Sequence, residues 1–344
     1  MWGNKRSIVG SASGFLVLSL ILSSCTSHTR SSKTSKSTAT IAAHHATIPN
    51  SGPIGVTFDV AKSSIAALSC VGSSFCMAAS SDGSIYLFNG QSWKESVASS
   101  SSVASSSSVV LPAGIGTPKV DCVSMLMCLG ELRGSKLSFF NGNSWSQPSR
   151  IPGAEPIAAF GCSSSGSCVA IDAVGDGFLY EKSQWSKAFN AWGSAVSISC
   201  ISADFCAAAG GGVSFWNGSY WTKPVTIDPN GLLTSISCVS ANFCVVVDDK
   251  GGVVTWNGSL WGTAESVAAH RLNSISCVNN QWCMAVGEGG EVVVLDNSSW
   301  HKVLLGSSNL EYTSVSCDLV SSCQVGDSKG QVISLRLSPQ QFAQ

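Results

Sequence analysis

Residues 272–305 read LNSISCVNNQWCMAVGEGGEVVVLDNSSWHKVLL. Leu272 to Val278 alternates apolar and small polar side chains, which is the two-residue period of a strand. Trp282 to Gly287 is a second apolar run, and Glu288-Gly289-Gly290 is turn chemistry. The β-branched stretch Glu291 to Leu295 reads as a third strand, Asp296 to Ser299 as another turn, and Trp300 to Leu305 as a fourth strand. The preceding unit repeats this order as SISC, FCVVVDDKGG and VVTWNGSLW, and the one before it as SISC, FCAAAGGG and VSFWNGSYW.

Each unit is marked by two cysteines with five residues between them. The pairs are Cys70/Cys76, Cys122/Cys128, Cys162/Cys168, Cys200/Cys206, Cys238/Cys244, Cys277/Cys283 and Cys317/Cys323. Their first members lie 52, 40, 38, 38, 39 and 40 residues apart, and a recurring period near 40 defines a repeat architecture. A four-stranded antiparallel meander of that length cannot cover both of its faces alone. No helical period intervenes, so the sheets must cover one another. The expected fold is all-β, a seven-bladed β-propeller. A solenoid of meanders is the competing arrangement, but no capping repeats are present. The last unit also argues against it. No Trp-led fourth strand follows Gln331 to Leu335, whereas Ile54 to Val60 precedes the first full unit as an orphan strand. Residues 54–60 are therefore expected to complete the blade formed by 311–337. Blade one then runs from about Ala66 to Ala98, and the ring closes without exposed edges.

Composition agrees. The 344 residues are 44% hydrophobic and 11% charged, too apolar for a disordered chain. Abundant Gly (34) with sparse Pro (10) suits short strands and tight turns. Net charge is −1, which argues against nucleic acid as a partner. From residue 53 onward 20 acidic residues face 14 basic ones, so anionic polymers are poor ligand candidates. Fifteen cysteines point to an oxidising compartment.

The N-terminus points the same way. Lys5 and Arg6 precede an apolar stretch from Ile8 to Leu22, the length of a signal-peptide core and short for a membrane span. It ends Leu22-Ser23-Ser24-Cys25, which resembles the bacterial lipobox. That resemblance implies cleavage after residue 24 and a diacylglyceryl group on Cys25, hence anchorage at the outer face of the bacterial cytoplasmic membrane. An ordinary secretory signal cut nearby and an uncleaved anchor helix are the competing readings, and all three place the remaining chain outside the cytoplasm. Setting Cys25 aside leaves fourteen cysteines, an even number. Residues 25–52, rich in Ser, Thr and Ala, read as a flexible tether. His44-His45 in that tether reads as solvated rather than as a metal site. Residues 53–344 form the propeller.

Each cysteine pair brackets the hairpin between a first and second strand, a spacing that lets the Cα atoms approach bonding distance. A metal reading needs CxxC spacing or histidine partners, so disulfides are expected, with no metal and no cofactor. The second signature, aromatic-Asn-Gly-x-x-Trp, occurs at Phe88…Trp93, Phe140…Trp145, Trp216…Trp221 and Trp256…Trp261. Asn-Gly is expected to supply the positive φ angles of a hairpin between third and fourth strands, with the aromatics packing between blades. Stacking on sugar is the alternative role for these tryptophans. Tyr180…Trp185 and Leu295…Trp300 keep the spacing without Asn-Gly. The sequons at Asn217, Asn257 and Asn297 read as turns.

Together, L-x-S-I-S-C, aromatic-Cys-x-A-V-G-x-x-G and V-x-x-W-N-G-x-x-W resemble bacterial-neuraminidase-type repeats, in the form seen in photosystem II assembly-factor-like propellers. Leu272 to Ser276 and Ala285 to Gly290 carry the likeness best, and it spans 54 to 337. It implies a propeller of the sialidase superfold type. It leaves function open, because such repeats serve enzymes, lectins and scaffolds. The Asp-box pattern Ser-x-Asp-x-Gly-x-x-Trp is intact in no unit, and the paired cysteines are not a general feature of the family.

A sialidase also needs an arginine cluster and a tyrosine nucleophile. The propeller offers Arg133, Arg150, Arg271 and Arg336, with Tyr86, Tyr180, Tyr220 and Tyr312, and the repeat register aligns no arginine triad. Asp82, Asp176, Asp248, Asp249, Glu288 and Asp327 fall at turns. His270 and His301 stand alone. No catalytic residues are therefore assigned. First-strand positions along the axis are mostly small (Ser69, Ser199, Ser237, Ser276 and Ser316, with Asp121 and Gly161 breaking the pattern), which suits packing or water. The Ser-rich stretch Ser99 to Gly116 reads as a surface loop or a contact arm over one mouth. The expected function is a monomeric, lipid-anchored binding module for a protein or neutral glycan. The alternatives are a glycan-acting hydrolase or lyase and a scaffold for a membrane complex.

Overall fold

The structure, a computed structural model, describes residues 54–97, 118–132, 135–190, 193, 195–305, 310–320 and 322–337. The leader, Cys25, the tether and the loop at 99–116 lie outside the described residues. Seven antiparallel sheets follow one another along the chain. Blade one spans Ile65–Val97, and blade two has strands Val120–Ser124, Met127–Leu132 and Lys136–Phe140. Blade three spans Ile157–Asn190 and blade four has strands Ala195–Ser202, Phe205–Gly210 and Val213–Trp216. Blade five spans Leu233–Ser266 and blade six Leu272–Lys302. Blade seven joins Tyr312–Leu319, Ser322–Asp327 and Gln331–Arg336 to Ile54–Asp59. The fourth strands are the weakest. In blades two and four they pair only through isolated bridges, Phe140 with Trp145 and Leu137 with Ser149 in one, Trp216 with Trp221 and Val213 with Val225 in the other.

The closing strand pairs as the sequence leads one to expect. Ile54 lies opposite Arg336 and Asp59 opposite Gln331. The Gln331 side-chain amide donates to Asp59 at 2.7 Å, and the amides of Val60 and Ala61 both donate to the Gly330 carbonyl. The first and last described strands thus share one sheet, and the outer edge of Gln331–Arg336 is covered.

The core is divided among the seams. Seven apolar clusters form, each between two neighbouring blades. Second-strand residues such as Val245, Met284 and Val325 are fully buried, because both faces of every sheet meet another sheet. The closing seam between blades seven and one has the smallest cluster, Ile65, Leu68, Ala78 and Val332, and Phe58 meets Phe88 edge-on across it at 5.8 Å.

All seven cysteine pairs form disulfides within their own hairpins. These are Cys70–Cys76, Cys122–Cys128, Cys162–Cys168, Cys200–Cys206, Cys238–Cys244, Cys277–Cys283 and Cys317–Cys323, with Cα atoms 4.0–4.1 Å apart. In every blade the two partners sit opposite each other in the strand register. The two members of a pair differ in burial. The second members, Cys76, Cys128, Cys168, Cys206, Cys244, Cys283 and Cys323, are all buried, because each lies on a second strand covered on both sides. Six of them join the apolar clusters, Cys76 being the exception. Five of the first members, Cys70, Cys200, Cys238, Cys277 and Cys317, are only half-buried, since their strand is the inner edge of its sheet. The bridge therefore ties an axial strand to the core as well as closing a hairpin.

The Asn-Gly turns depart from expectation in one respect. Gly90, Gly142, Gly218 and Gly258 carry the positive φ (87–95°), but the asparagines before them do not. Each asparagine acts through its side chain, whose Oδ1 accepts the backbone N–H groups two and three residues on, as Asn257 does from Ser259 and Leu260. The two turns without Asn-Gly are two-residue hairpins, with positive φ at Lys182-Ser183 and Asn297-Ser298.

Because successive strands alternate in direction, the first–second and third–fourth hairpins emerge on one face, here called the cysteine face. The second–third hairpins and the connections between blades emerge on the other, the aspartate face. Removing one staple, Cys277→Ser with Cys283→Ser, is expected to cost about 2 kcal/mol of the stability measured by non-reducing denaturant unfolding, the loop-closure value for so short a ring.

Candidate functional site

The seven first strands surround a central cavity of about 440 Å³. A first strand is the inner edge of its sheet, so alternate backbone N–H groups face the neighbouring blade without a ladder partner. The residue just before each first cysteine meets this demand. Ser69 Oγ accepts from the Cys122 amide at 2.9 Å, Ser199 from Cys238, Ser237 from Cys277, Ser276 from Cys317 and Ser316 from Cys70, the last four at 3.0 Å. The axial serines are therefore inter-blade staples rather than the neutral lining suggested by their size. Two residues further back Ser197, Ser235 and Ser274 repeat the device toward Ile236, Ile275 and Val315. Thr234, Asn273 and Thr313 add bonds to the backbone carbonyls of Leu272, Tyr312 and Ile65 in the next blade.

The two exceptions mark the uneven part of the ring. Asp121 keeps the staple, accepting from the Cys162 amide at 2.7 Å, but does so with a carboxylate. Removal from water pushes its pKa up to about 6, opposed by that one amide. At Gly161 a Cβ would lie 2.9 Å from Ile198 Cγ2 and 3.2 Å from Cys200 Sγ, so blades three and four approach too closely for a side chain there.

Two cations stand at the aspartate-face end of the first strands, and further charge pairs lie on that face away from the cavity. Lys119 and Arg271 line the cavity there, and Arg271 Nε donates to Asn273 at 2.9 Å. Lys119 pairs with buried Glu131 at 3.5 Å. Burial lowers the lysine pKa and raises that of the glutamate, and their mutual attraction opposes both shifts. Glu291, also buried, receives Lys302, His270 Nδ1 and the Ala269 amide. Burial pushes its pKa up, but those three contacts outweigh it and hold the group below the ordinary glutamate range. His270 is therefore not isolated as the sequence suggested, since it ties a blade connection to blade six. His301, on the fourth strand of blade six, joins no cluster in the described residues.

The turn carboxylates behave as turn formers. Asp248 Oδ1 accepts from the Lys250 and Gly252 amides, and Asp327 Oδ1 accepts from those of Lys329 and Gln331. Asp172, which sequence reasoning passed over in favour of Asp176, makes the same turn and also accepts from the Glu155 amide at 3.0 Å. Asp176 instead pairs with Lys187. Asp228, also overlooked, reaches Asp248 from the preceding connection. Burial raises the Asp248 pKa, and the adjoining Asp228 carboxyl adds to the rise. These two carboxyls touch, whereas glycoside hydrolysis needs them roughly 5–10 Å apart with a sugar between. Of the tyrosines, Tyr86 and Tyr180 lie on third strands, Tyr220 lies in a turn, and Tyr312 is buried with its phenol pushed up to about 12 by desolvation and by Asp327. Among the described residues no cluster of three His, Cys, Asp or Glu side chains is placed to hold a metal. Aromatics of the third-to-fourth turns pack at the seams against residues of the neighbouring blade: Tyr180 stacks on Phe139 at 4.3 Å and Trp256 lies 5.0 Å from Phe215.

No protein-family model matches this chain, and no curated protein matches it in sequence. Its fold is similar to solved propellers. YCF48 bound to a D1 peptide superposes with a TM-score of 0.64 at 13% identity, covering 83% of this chain and 97% of that one. The WD40 propeller domain of Doa1 gives 0.65 at 13% identity, with 84% and 97% covered. YCF48 from Cyanidioschyzon merolae gives 0.58 at 14%, with 81% and 98% covered. At such identities the likeness establishes the β-propeller and nothing finer.

Two substitutions test the ring. The raised Asp121 pKa means that this group's contribution to stability is fully present below pH 4 and is lost as pH rises through about 6. Asp121→Ser restores the serine staple without a charge. Its stability relative to the parent is expected to gain about 2–3 kcal/mol between pH 4 and 7.5, read from denaturation midpoints at both. Gly161→Ser also matches the other blades, yet it is expected to cost about 1–3 kcal/mol because its Cβ meets Ile198.

Proposed function

We propose that this chain is a binding module, held by a lipid on Cys25 at the outer face of the bacterial cytoplasmic membrane, that grips a segment of a partner protein at the mouth of its central cavity. The observation that carries the reading is the composition of that mouth. The serines of the wall and Asn273 are committed to neighbouring blades, while Lys119 and Arg271 stand at the aspartate-face end of the cavity wall. Among the described residues such a site offers hydrogen-bonding groups and positive charge, and the serine hydroxyls beside it are already engaged in inter-blade bonds. It suits recognition better than catalysis. A fold-level neighbour, YCF48, was solved with a peptide bound, which is consistent with a protein ligand. A neutral glycan is the second candidate, and the net acidity of the propeller disfavours anionic polymers of either kind.

The anchor is tested by mass spectrometry of the N-terminal peptide, where a thioether-linked diacylglycerol on Cys25 is expected. The site is tested by affinity capture from detergent-solubilised membranes with the full chain as bait. Arg271→Glu is expected to reduce the recovered partner at least tenfold while the disulfides and melting midpoint stay unchanged. Undiminished capture, or strong binding on a glycan array with no protein recovered, counts against the site as drawn.

A further inference from the structure

The two faces of the ring differ sharply in charge. The described turns of the cysteine face are built mainly from Ser, Asn, Gly and Gln, and their charged residues are Glu181, Lys182, Asp204, Asp296 and Asp318. The aspartate face carries the Asp82, Asp172, Asp248 and Asp327 turns, together with Asp249, Lys250, Glu288 and Arg271. Large apolar side chains stand out on the cysteine face. Met125 and Leu126 cap the first hairpin of blade two, Tyr220 and Leu260 sit in the third–fourth turns of blades four and five, and Leu319 ends the first strand of blade seven, all 53–71% exposed. Val174, Val225, Leu232 and Leu304 are as exposed on the opposite face. Leu232, however, is bound through its amide to Asp249, so bringing that face against hydrocarbon would desolvate carboxylates and lysines as well.

The path of the chain selects between the faces. Residues 54–59 run antiparallel to 331–336, so the polypeptide enters the fold at Ile54 on the cysteine face. Twenty-eight residues separate Cys25 from Ile54, a reach of up to roughly 90–100 Å when extended. Such a tether does not orient the ring by itself. It holds the ring at high local concentration beside the bilayer, where a weak preference of one face is enough.

We propose that the cysteine face is a membrane-docking surface, laid on the lipid interface with Leu126, Leu260 and Tyr220 at headgroup depth. Leucine tips enter the acyl boundary there, and the tyrosine keeps its hydroxyl wet. The aspartate face and its cavity mouth then look outward, away from the bilayer. This inference rests on the lipid-anchor reading and adds an orientation to it.

The test places a benzophenone amino acid singly at Leu126, Leu260, Leu232 and Leu304 of the full chain, expressed with its anchor and irradiated in its own membranes. Lipid adducts from positions 126 and 260 are expected to exceed those from 232 and 304 at least tenfold. Leu126→Asp added to the Leu260 probe is expected to reduce that yield severalfold while the Cys25 lipid remains. Equal yields from both faces, or adducts to protein rather than lipid from 126 and 260, would overturn the orientation. The mass of the Cys25 peptide separates the two failures. With lipid on Cys25 and no adducts, docking alone falls and the anchor stands. With no lipid, the anchor falls and docking with it.

Discussion

The ring depends on how the inner edge of each sheet is satisfied. Seven first strands splay around an axis, too far from one another to form a ladder, yet their outward amides are too buried to go unpaired. A side-chain oxygen one residue before each cysteine spans the gap, and six of the seven seams use this position. The amide that is covered belongs to the cysteine whose disulfide fixes the hairpin. One residue pair therefore sets both the staple inside a blade and the contact between blades. This coupling explains why serine and cysteine recur together while the residues around them vary.

The reinforcement is uneven along the ring. From blade four through blade seven each seam adds a second serine, and a threonine or asparagine bonds onward from blades five, six and seven. Between blades two and four the hydroxyls are replaced by a carboxylate and then by nothing, and packing takes over. Ile198 closes against Gly161, and Phe139 and Tyr180 stack across the seam before it. The closing seam has the smallest apolar cluster but retains Ser316, Thr313 and the strand at 54–59. Polar and apolar links thus substitute for each other from seam to seam, as a closed ring permits, since every interface shares the same circumference.

Much of this was legible in the residues. The cysteine spacing marked the hairpins, the strand alternation marked the blades, and the unfilled place after Leu335 pointed to Ile54–Val60. What escaped shares one cause, that the deciding partner lies far along the chain. A serine at 237 looks like a small axial residue until Cys277 of the next blade is placed against it. Asp228 looks like a loop residue before Pro229 until the fold brings Asp248 to it. His270 looks solitary until Glu291 is buried beneath it. The Asn-Gly turns were read only in part for a different reason. The dipeptide signals a turn, but which residue takes positive φ depends on loop length, and these four-residue loops give it to glycine alone.

The same strand alternation that builds the blades also divides the functional possibilities. Disulfides and Asn-Gly turns recur on one face because they close the odd-numbered hairpins. The aspartate turns recur on the other because a buried carboxylate at the end of the second strand gathers the amides of the next turn and, in blade three, of the connection before it. A propeller made this way separates charge by construction, without any residue being placed for a ligand. Recognition then needs only what breaks the repeat. On the aspartate face those breaks are Lys119 and Arg271, neither of which follows from the hairpin pattern, and both line the one cavity. Residues that recur in the blades are accounted for by the ring, so the irregular ones at a shared mouth are where binding specificity is to be sought.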